Sequence, residues 1–258
     1  MSRNFELMQQ MGRAREFPAI VPPAADNRWT QERETVHEVR PKRAKIVDFG
    51  QFAREESLRL VQRTFLLQTP NAPRAVVFAG IDHGNGCSEL CASTAETLAD
   101  HTGGSICLVD ANLRSPGLPS IFGTTNHWGL TDALRQEGPI KSFVKPLGVR
   151  NISLLSGGSV RTDAPSLLTS DALRKRFAEL RDEFDFVLVD AAPLSRYGDA
   201  ISLGQVTDGF VLVLEANATR REVAQMAADT LKAANVRILG AVLNKRTFPI
   251  PTSLYKKL

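Results

Sequence analysis

The stretch Gly80-Ile81-Asp82-His83-Gly84-Asn85-Gly86-Cys87-Ser88-Glu89 joins a short apolar run to a segment of helical spacing. A glycine-rich turn that opens a helix presents backbone N–H groups and a helix N-terminus to a phosphate. Gly80, Gly86 and Ser88 fit the phosphate-loop pattern, whereas Cys87 stands at its lysine position. Glycines serve any tight turn, so this stretch alone leaves both readings open. Two further apolar runs end in carboxylates: Leu108-Val109-Asp110-Ala111-Asn112-Leu113-Arg114-Ser115-Pro116 and Val187-Leu188-Val189-Asp190-Ala191-Ala192-Pro193. Aspartates at the carboxyl ends of strands beside such a turn face one crevice, where they could hold Mg²⁺ directly or through water. Aspartates at strand ends also cap turns. The convergence of three features on one sheet edge favours a site for ATP or ADP with Mg²⁺.

These residues need a scaffold, and the rest of the chain supplies its pattern. Nearly pure apolar runs recur at Ala75–Ala79, Ser105–Val109, Ile152–Leu155, Phe186–Val189, Gly209–Leu214 and Ile238–Leu243. Segments of helical spacing lie between them, among them Ser88–Ala99, Ala172–Leu180 and Arg221–Ala234. Apolar strands alternating with helices predict an α/β fold with a doubly wound, mostly parallel sheet, and ligands beyond its carboxyl edge. A helix is also expected over Asp48–Gln68, with Phe52, Leu58, Val61, Phe65 and Leu66 on one face. Residues 1–47 carry Pro18, Pro22, Pro23 and Pro41 with little apolar periodicity. They read as a mobile extension with one short helix near Phe5–Met11. The expected organisation is an extension (1–47), one domain (48–250) and a short tail (251–258).

Composition excludes several classes. Of 258 residues, 43% are hydrophobic and 23% charged, which rules out a wholly disordered, collagenous or coiled-coil chain. No apolar run approaches the roughly 18 residues of a membrane helix, and the polar opening Met1–Gln10 does not read as a signal peptide. Three cysteines make no disulfide framework, so a reducing cytoplasm is expected. A net charge of +4 is too slight to argue for nucleic acid.

Over roughly residues 48–246 the chain resembles the cytoplasmic kinase module of bacterial tyrosine autokinases of capsule and exopolysaccharide synthesis. These belong to the Min/Par-type deviant P-loop ATPases. The likeness rests on the Gly80–Glu89 turn, the Asp110 motif and Gly129-Leu130-Thr131-Asp132-Ala133-Leu134. It continues through Leu154-Leu155-Ser156-Gly157-Gly158, Ala164-Pro165-Ser166-Leu167-Leu168, Phe184–Asp190, Asp199-Ala200 and Leu239-Gly240-Ala241-Val242-Leu243-Asn244. The resemblance implies nucleotide contacts from Gly84, Asn85, Gly86, Cys87, Ser88 and Glu89, with Asn244 near the base. It further implies a metal held by Ser88, Asp110 and Asp190. Glu56 and Arg59 match two positions of the family's glutamate–arginine–arginine oligomerisation helix, with Gln62 at the third, which implies a homo-oligomer on two positions of three. A membrane polysaccharide chain-length or export protein is the implied partner, and the inner membrane the implied place of work through it.

The departures from this family fall on chemistry. A phosphate-loop lysine neutralises the β- and γ-phosphates, and Cys87 brings no such charge. A helix N-terminus is expected to lower its pKa and favour a thiolate. Asn112 replaces the second carboxylate of its motif, and Glu89 stands where a hydroxyl residue would follow. The chain has two tyrosines, Tyr197 and Tyr255, so Tyr255 is the one acceptor candidate in the tail. These features point to a kinase relative with little or no catalysis. The alternatives are an active autokinase that uses Asp110 and Arg114, or a Min/Par-type positioning ATPase. His83, Cys87 and Cys91 are the weaker zinc candidates, while Cys91 and Cys107 read as small core residues.

Overall fold

The computed structural model describes residues 50–66, 71–148, 151–159 and 164–246, all within the unit Pro41–Leu258. The expected extension, the helix near Phe5–Met11, the 251–258 tail and Tyr255 lie outside these residues.

Each apolar run becomes a strand. In chain order these are β1 (Ala75–Gly80), β2 (Ile106–Asp110), β3 (Lys145–Pro146), β4 (Ile152–Leu155), β5 (Phe186–Asp190), β6 (Gly209–Glu215) and β7 (Ile238–Asn244). They form one seven-stranded sheet in the order β3-β4-β2-β5-β1-β6-β7. Every pairing is parallel except β3 with β4. β3 escapes a hydrophobic reading because it is two residues long and carries a lysine and a proline.

Alternation along the strands divides the interior into two cores. Val76, Phe78, Ile106, Leu108, Leu188 and Val211 face one side. Ala75, Val77, Ala79, Cys107, Val109, Val187, Val189, Phe210 and Leu212 face the other. Both β1 and β2 are buried at every position, as a sheet covered on both faces requires.

The first core is closed by α1 (Gly50–Thr64) and α2 (Cys87–Thr102). The α2 face holds Cys91, Ala92, Ala95, Leu98 and Ala99, all buried, and its three alanines let the helix lie close to the strands. Its left-handed Gly103 caps the last turn by donating its N–H to Ala99 O at 3.2 Å. The α1 helix docks through Val61, Phe65 and a buried Ser57–Ser93 hydroxyl pair at 2.8 Å. Leu66, expected on that face, is 37% exposed. Glu56 and Arg59 are exposed and paired with each other at 2.7 Å.

The short α3 (Leu118–Ile121) also packs with the first core, while α4 (Leu130–Ala133), a 3₁₀ turn (Ile140–Phe143), α5 (Ala164–Leu168), α6 (Asp171–Glu183), α7 (Asp199–Gly204) and α8 (Arg221–Ala233) lie on the second face. Leu173, Phe177, Leu180, Leu203 and Leu231 supply most of that contact. Two of the family-like motifs interlock here. Leu130 N donates to Ser156 O at 2.7 Å and Thr131 N to Gly157 O at 3.1 Å. A Cβ on Gly129 would lie 2.0 Å from Ser156 O, so only glycine fits. No helix among the described residues is long and apolar enough to cross a membrane.

Candidate functional site: a phosphate-loop cleft without its lysine

The carboxyl edge of the sheet carries a cleft of about 470 Å³. β1 ends at Gly80, and the turn to α2 forms one wall with Asp82, His83, Gly84, Asn85, Gly86, Cys87, Ser88 and Glu89. Asn112, Ser115, Pro116 and Gly117 after β2, Asp190 and Pro193 after β5, and Asn244 and Lys245 after β7 complete it. The turn is shaped by local chemistry. Asn85, 2% exposed, accepts from Asp82 N at 3.1 Å, and Gly86 enters α2 from a left-handed conformation (φ 76°, ψ 30°). Asn244 Nδ2 clamps the turn from across the sheet, donating to Asn85 O at 2.8 Å and to Gly86 O at 3.3 Å. A Cβ at Gly86 would come within 2.5 Å of that nitrogen.

Asp110 and Asp190 are register partners on adjacent parallel strands. Ser88 Oγ donates to Asp190 Oδ2 at 2.5 Å. Asp110 is fully buried, with Oδ1 accepting from Asn112 N at 3.2 Å and Oδ2 from Leu118 N at 3.0 Å. Burial and then the charge of Asp190 push the Asp110 carboxyl well above the usual carboxylate range. Burial likewise raises Asp190 to about 6, against the pull of its bonds from Ser88 and Cys87. A hydroxyl beside two carboxylates that disfavour ionisation together is a donor set that suits a hard divalent cation.

Cys87 is half-buried beside Asp190. Its thiol is pushed well above the ordinary range, by burial first and by the Asp190 carboxylate second. The thiolate expected from the helix N-terminus is therefore overturned: desolvation and a neighbouring anion outweigh the helix, and the group is a neutral thiol that donates to Asp190. Cys91 and Cys107 are fully buried core residues.

The structure brings Gly84, Asn85, Gly86, Cys87, Ser88, Glu89, Asp190 and Asn244 to one cleft; Asp110 lies beside Asp190 on the neighbouring strand, fully buried and not among the lining residues. Arg114 is not among the lining residues. Its Nε lies 3.1 Å from Asp199 Oδ2 and its guanidinium 3.9 Å from the centre of the Tyr197 ring. Asn112 Oδ1 accepts from Ser115 N at 3.3 Å and shapes the loop after β2. Sequence reasoning missed Lys245, whose signal is a basic residue directly after the last strand.

No family model matches the chain. The tyrosine-protein kinase YwqD of Bacillus subtilis is 29% identical over 171 residues, covering 66% of this chain and 72% of that protein. CapB of Staphylococcus aureus, a putative tyrosine-protein kinase by name, is 26% identical over 185 residues, covering 72% and 81%. The succinoglycan biosynthesis transport protein ExoP of Rhizobium meliloti is 28% identical over 175 residues, 67% of this chain but 22% of that protein. Among solved structures, the chimerical protein CapA2B2 superposes with a TM-score of 0.71 at 22% identity, over 75% of this chain and 85% of that one. The septum site-determining protein MinD of Pyrococcus horikoshii, solved with Mg-ADP, gives 0.56 at 20% identity over 71% and 76%. By sequence the chain's homologues are bacterial tyrosine-protein kinases of capsule and exopolysaccharide biosynthesis, and its fold is that of their kinase domains and of MinD-like P-loop ATPases.

Proposed function

We propose that this protein is a nucleotide-binding regulator related to the capsule and exopolysaccharide tyrosine kinases, with little or no phosphoryl transfer of its own. It binds ADP or ATP with Mg²⁺ weakly at the Gly84–Glu89 turn and acts in the cytoplasm, at the inner membrane, through a membrane polysaccharide chain-length or export partner. The relation to ExoP, a transport protein of succinoglycan biosynthesis, supports that setting.

One observation carries the reading: a neutral Cys87 thiol, bonded to Asp190, stands where a phosphate loop needs its lysine. Backbone N–H groups of the Gly84–Ser88 turn bind phosphate by geometry, which the loss of lysine does not touch. Ser88 and Asp190 would hold Mg²⁺, with Asp110 beside Asp190 on the neighbouring strand, and such an ion would supply positive charge toward the phosphates. Transfer requires more. The missing charge on the β- and γ-phosphates costs roughly 3 kcal/mol or more of transition-state stabilisation, two orders of magnitude in rate. Asn112 cannot take a proton where a carboxylate would. Residues 1–47 are an extension to the 48–250 domain in this reading, and Tyr255 in the 251–258 tail is its one tail acceptor.

Incubation of the protein with labelled ATP and Mg²⁺, alone and with its membrane partner, tests the reading. Little or no label on tyrosine is expected. Robust transfer to Tyr255 overturns it in favour of an active autokinase.

A further inference from the structure

The two outer strands of the sheet finish it differently. At one side β3 is two residues long and carries a lysine and a proline, which keep an edge from recruiting another strand. At the other, β7 is the outermost strand among the described residues, seven residues long with neither charge nor proline. Asn244 O accepts from Ala216 N at 2.9 Å, so Asn244 turns its main chain toward β6. Successive residues of a strand turn opposite ways, and Ala241 and Leu243 therefore direct their N–H and C=O groups to the open edge.

The side chains at this edge are bare as well. Val242 packs with the first core, which puts Ala241 and Leu243 on the opposite face, where α8 lies. Leu243 is 55% exposed. Because α8 begins just after β6 and runs back toward the start of β7, Val223 and Met226 stand at the same end of the sheet as Leu243, 39% and 69% exposed. An apolar strand edge of this kind calls for a partner strand.

The chain itself continues from this spot. Lys245 is left-handed (φ 54°), which breaks the strand conformation directly after β7 as a turn requires. Arg246-Thr247 leads into Phe248-Pro249-Ile250-Pro251-Thr252. In an edge strand alternate residues turn their nitrogens to solvent, and proline is tolerated there. Pro249 and Pro251 share that alternation, which leaves Phe248 and Ile250 to bond inward. With residues 244–247 as the turn, Phe248 falls opposite Leu243 and Ile250 opposite Ala241, the two residues whose main chains face the edge. Side chains of directly opposite residues project to the same face, so Phe248 and Ile250 would cover Leu243 and Ala241.

We propose that residues 248–252 dock antiparallel on β7 as an eighth strand that closes the bare edge of the sheet. Its outward prolines stop any further strand from adding. The strand runs from the rim of the cleft toward the amino edge, and Gly240, opposite Pro251, stands about 13 Å along β7 from Asn244. Tyr255 is thereby carried away from the phosphate turn of its own chain. None of this depends on nucleotide binding.

NMR of the full chain tests the docking. Antiparallel strands bring the Hα atoms of non-bonded pairs together, so Hα–Hα contacts are expected between Val242 and Pro249 and between Gly240 and Pro251. The amide protons of Ala241 and Leu243 should exchange about tenfold or more slower than in a Phe248→Pro, Ile250→Pro double variant, whose rings remove both inward donors. Pro249→Ala should keep that protection. Absence of both Hα–Hα contacts overturns the assignment, as does equal exchange at Ala241 and Leu243 in the natural protein and the double variant. Protection that rises with protein concentration and survives the double variant would mean that a second copy covers the edge instead.

Discussion

The two edges of the sheet handle their carboxylates in opposite ways. At the amino edge Asp208 accepts from Arg74 N at 2.9 Å and Ala75 N at 2.8 Å, and pairs with Arg181 at 2.8 Å. Asp185 accepts from both the N–H and the hydroxyl of Ser105 at 2.8 Å, bonds that together with nearby Arg74 hold its carboxyl below the ordinary range. At the carboxyl edge Asp110 and Asp190 face each other across neighbouring strands, and burial pushes both upward. One edge is electrostatically satisfied and the other is left in deficit. A deficit buried at a strand end is where a bound cation gains most, and it marks the functional edge without reference to any motif.

Four measurements break or sharpen this contrast, from the largest effect to the smallest. Asp208→Ala leaves two backbone donors without their acceptor and breaks the Arg181 pair, and should destabilise the protein by about 2–3 kcal/mol in denaturant unfolding. At the other edge the sign reverses. The folded-state pKa of Asp190 is raised to about 6 from an ordinary value of about 3.9, so its ionisation opposes folding. The Asp190 contribution to stability should therefore fall as pH rises from about 4 to about 6, by roughly 2–3 kcal/mol, and the raised Asp110 carboxyl acts in the same direction. Asp190→Asn should flatten that decline and stabilise the metal-free protein at neutral pH, as thermal unfolding across pH would record. A loss of stability in this variant would mean that the two edges do not differ. Cys87→Lys gives the carboxyl edge a cation like those of the amino edge, and should tighten ATP about tenfold, some 1.4 kcal/mol, and ADP less. Unchanged ATP affinity in that variant would mean that the turn is no phosphate site. The smallest effect is at Ser105→Ala, where NMR titration should find the Asp185 pKa moved back toward the ordinary range by loss of the hydroxyl bond.

Much of this was legible from local pattern. The six apolar runs coincide with strands to within a residue or so, because a strand buried on both faces must be apolar throughout; β7 is the exception, an edge strand whose Gly240, Ala241 and Leu243 are exposed. The helices after β1 and before β5 and β7 follow their spacing, while the first helix, expected over 48–68, is described over Gly50–Thr64. The carboxylates were legible as strand ends, and Ser88 as the residue opening a helix. Three matters were not. Cys87 read as an activated thiol because sequence reveals the helix it begins but not the buried aspartate beside it. Asn244, expected near the base, was not legible as a clamp on the turn, which its amide nitrogen makes by donating to the carbonyls of Asn85 and Gly86. Arg114, named for the active-autokinase alternative, lies outside the cleft lining, stacked over Tyr197 and paired with Asp199, neither of which its sequence neighbours reveal.

What the amino-acid sequence determined by itself was the list of elements, the glycine turn and the absence of lysine from it. Those depend on residues within a few positions of one another, where periodicity and backbone freedom act. Tertiary structure alone decided the charge state of the cleft. Ser88 and Asp190 are 102 positions apart, and Asn244 reaches the turn across 159. Whether a buried group is ionised depends on every dipole and charge within a few ångströms, and only the folded sheet brings those groups together.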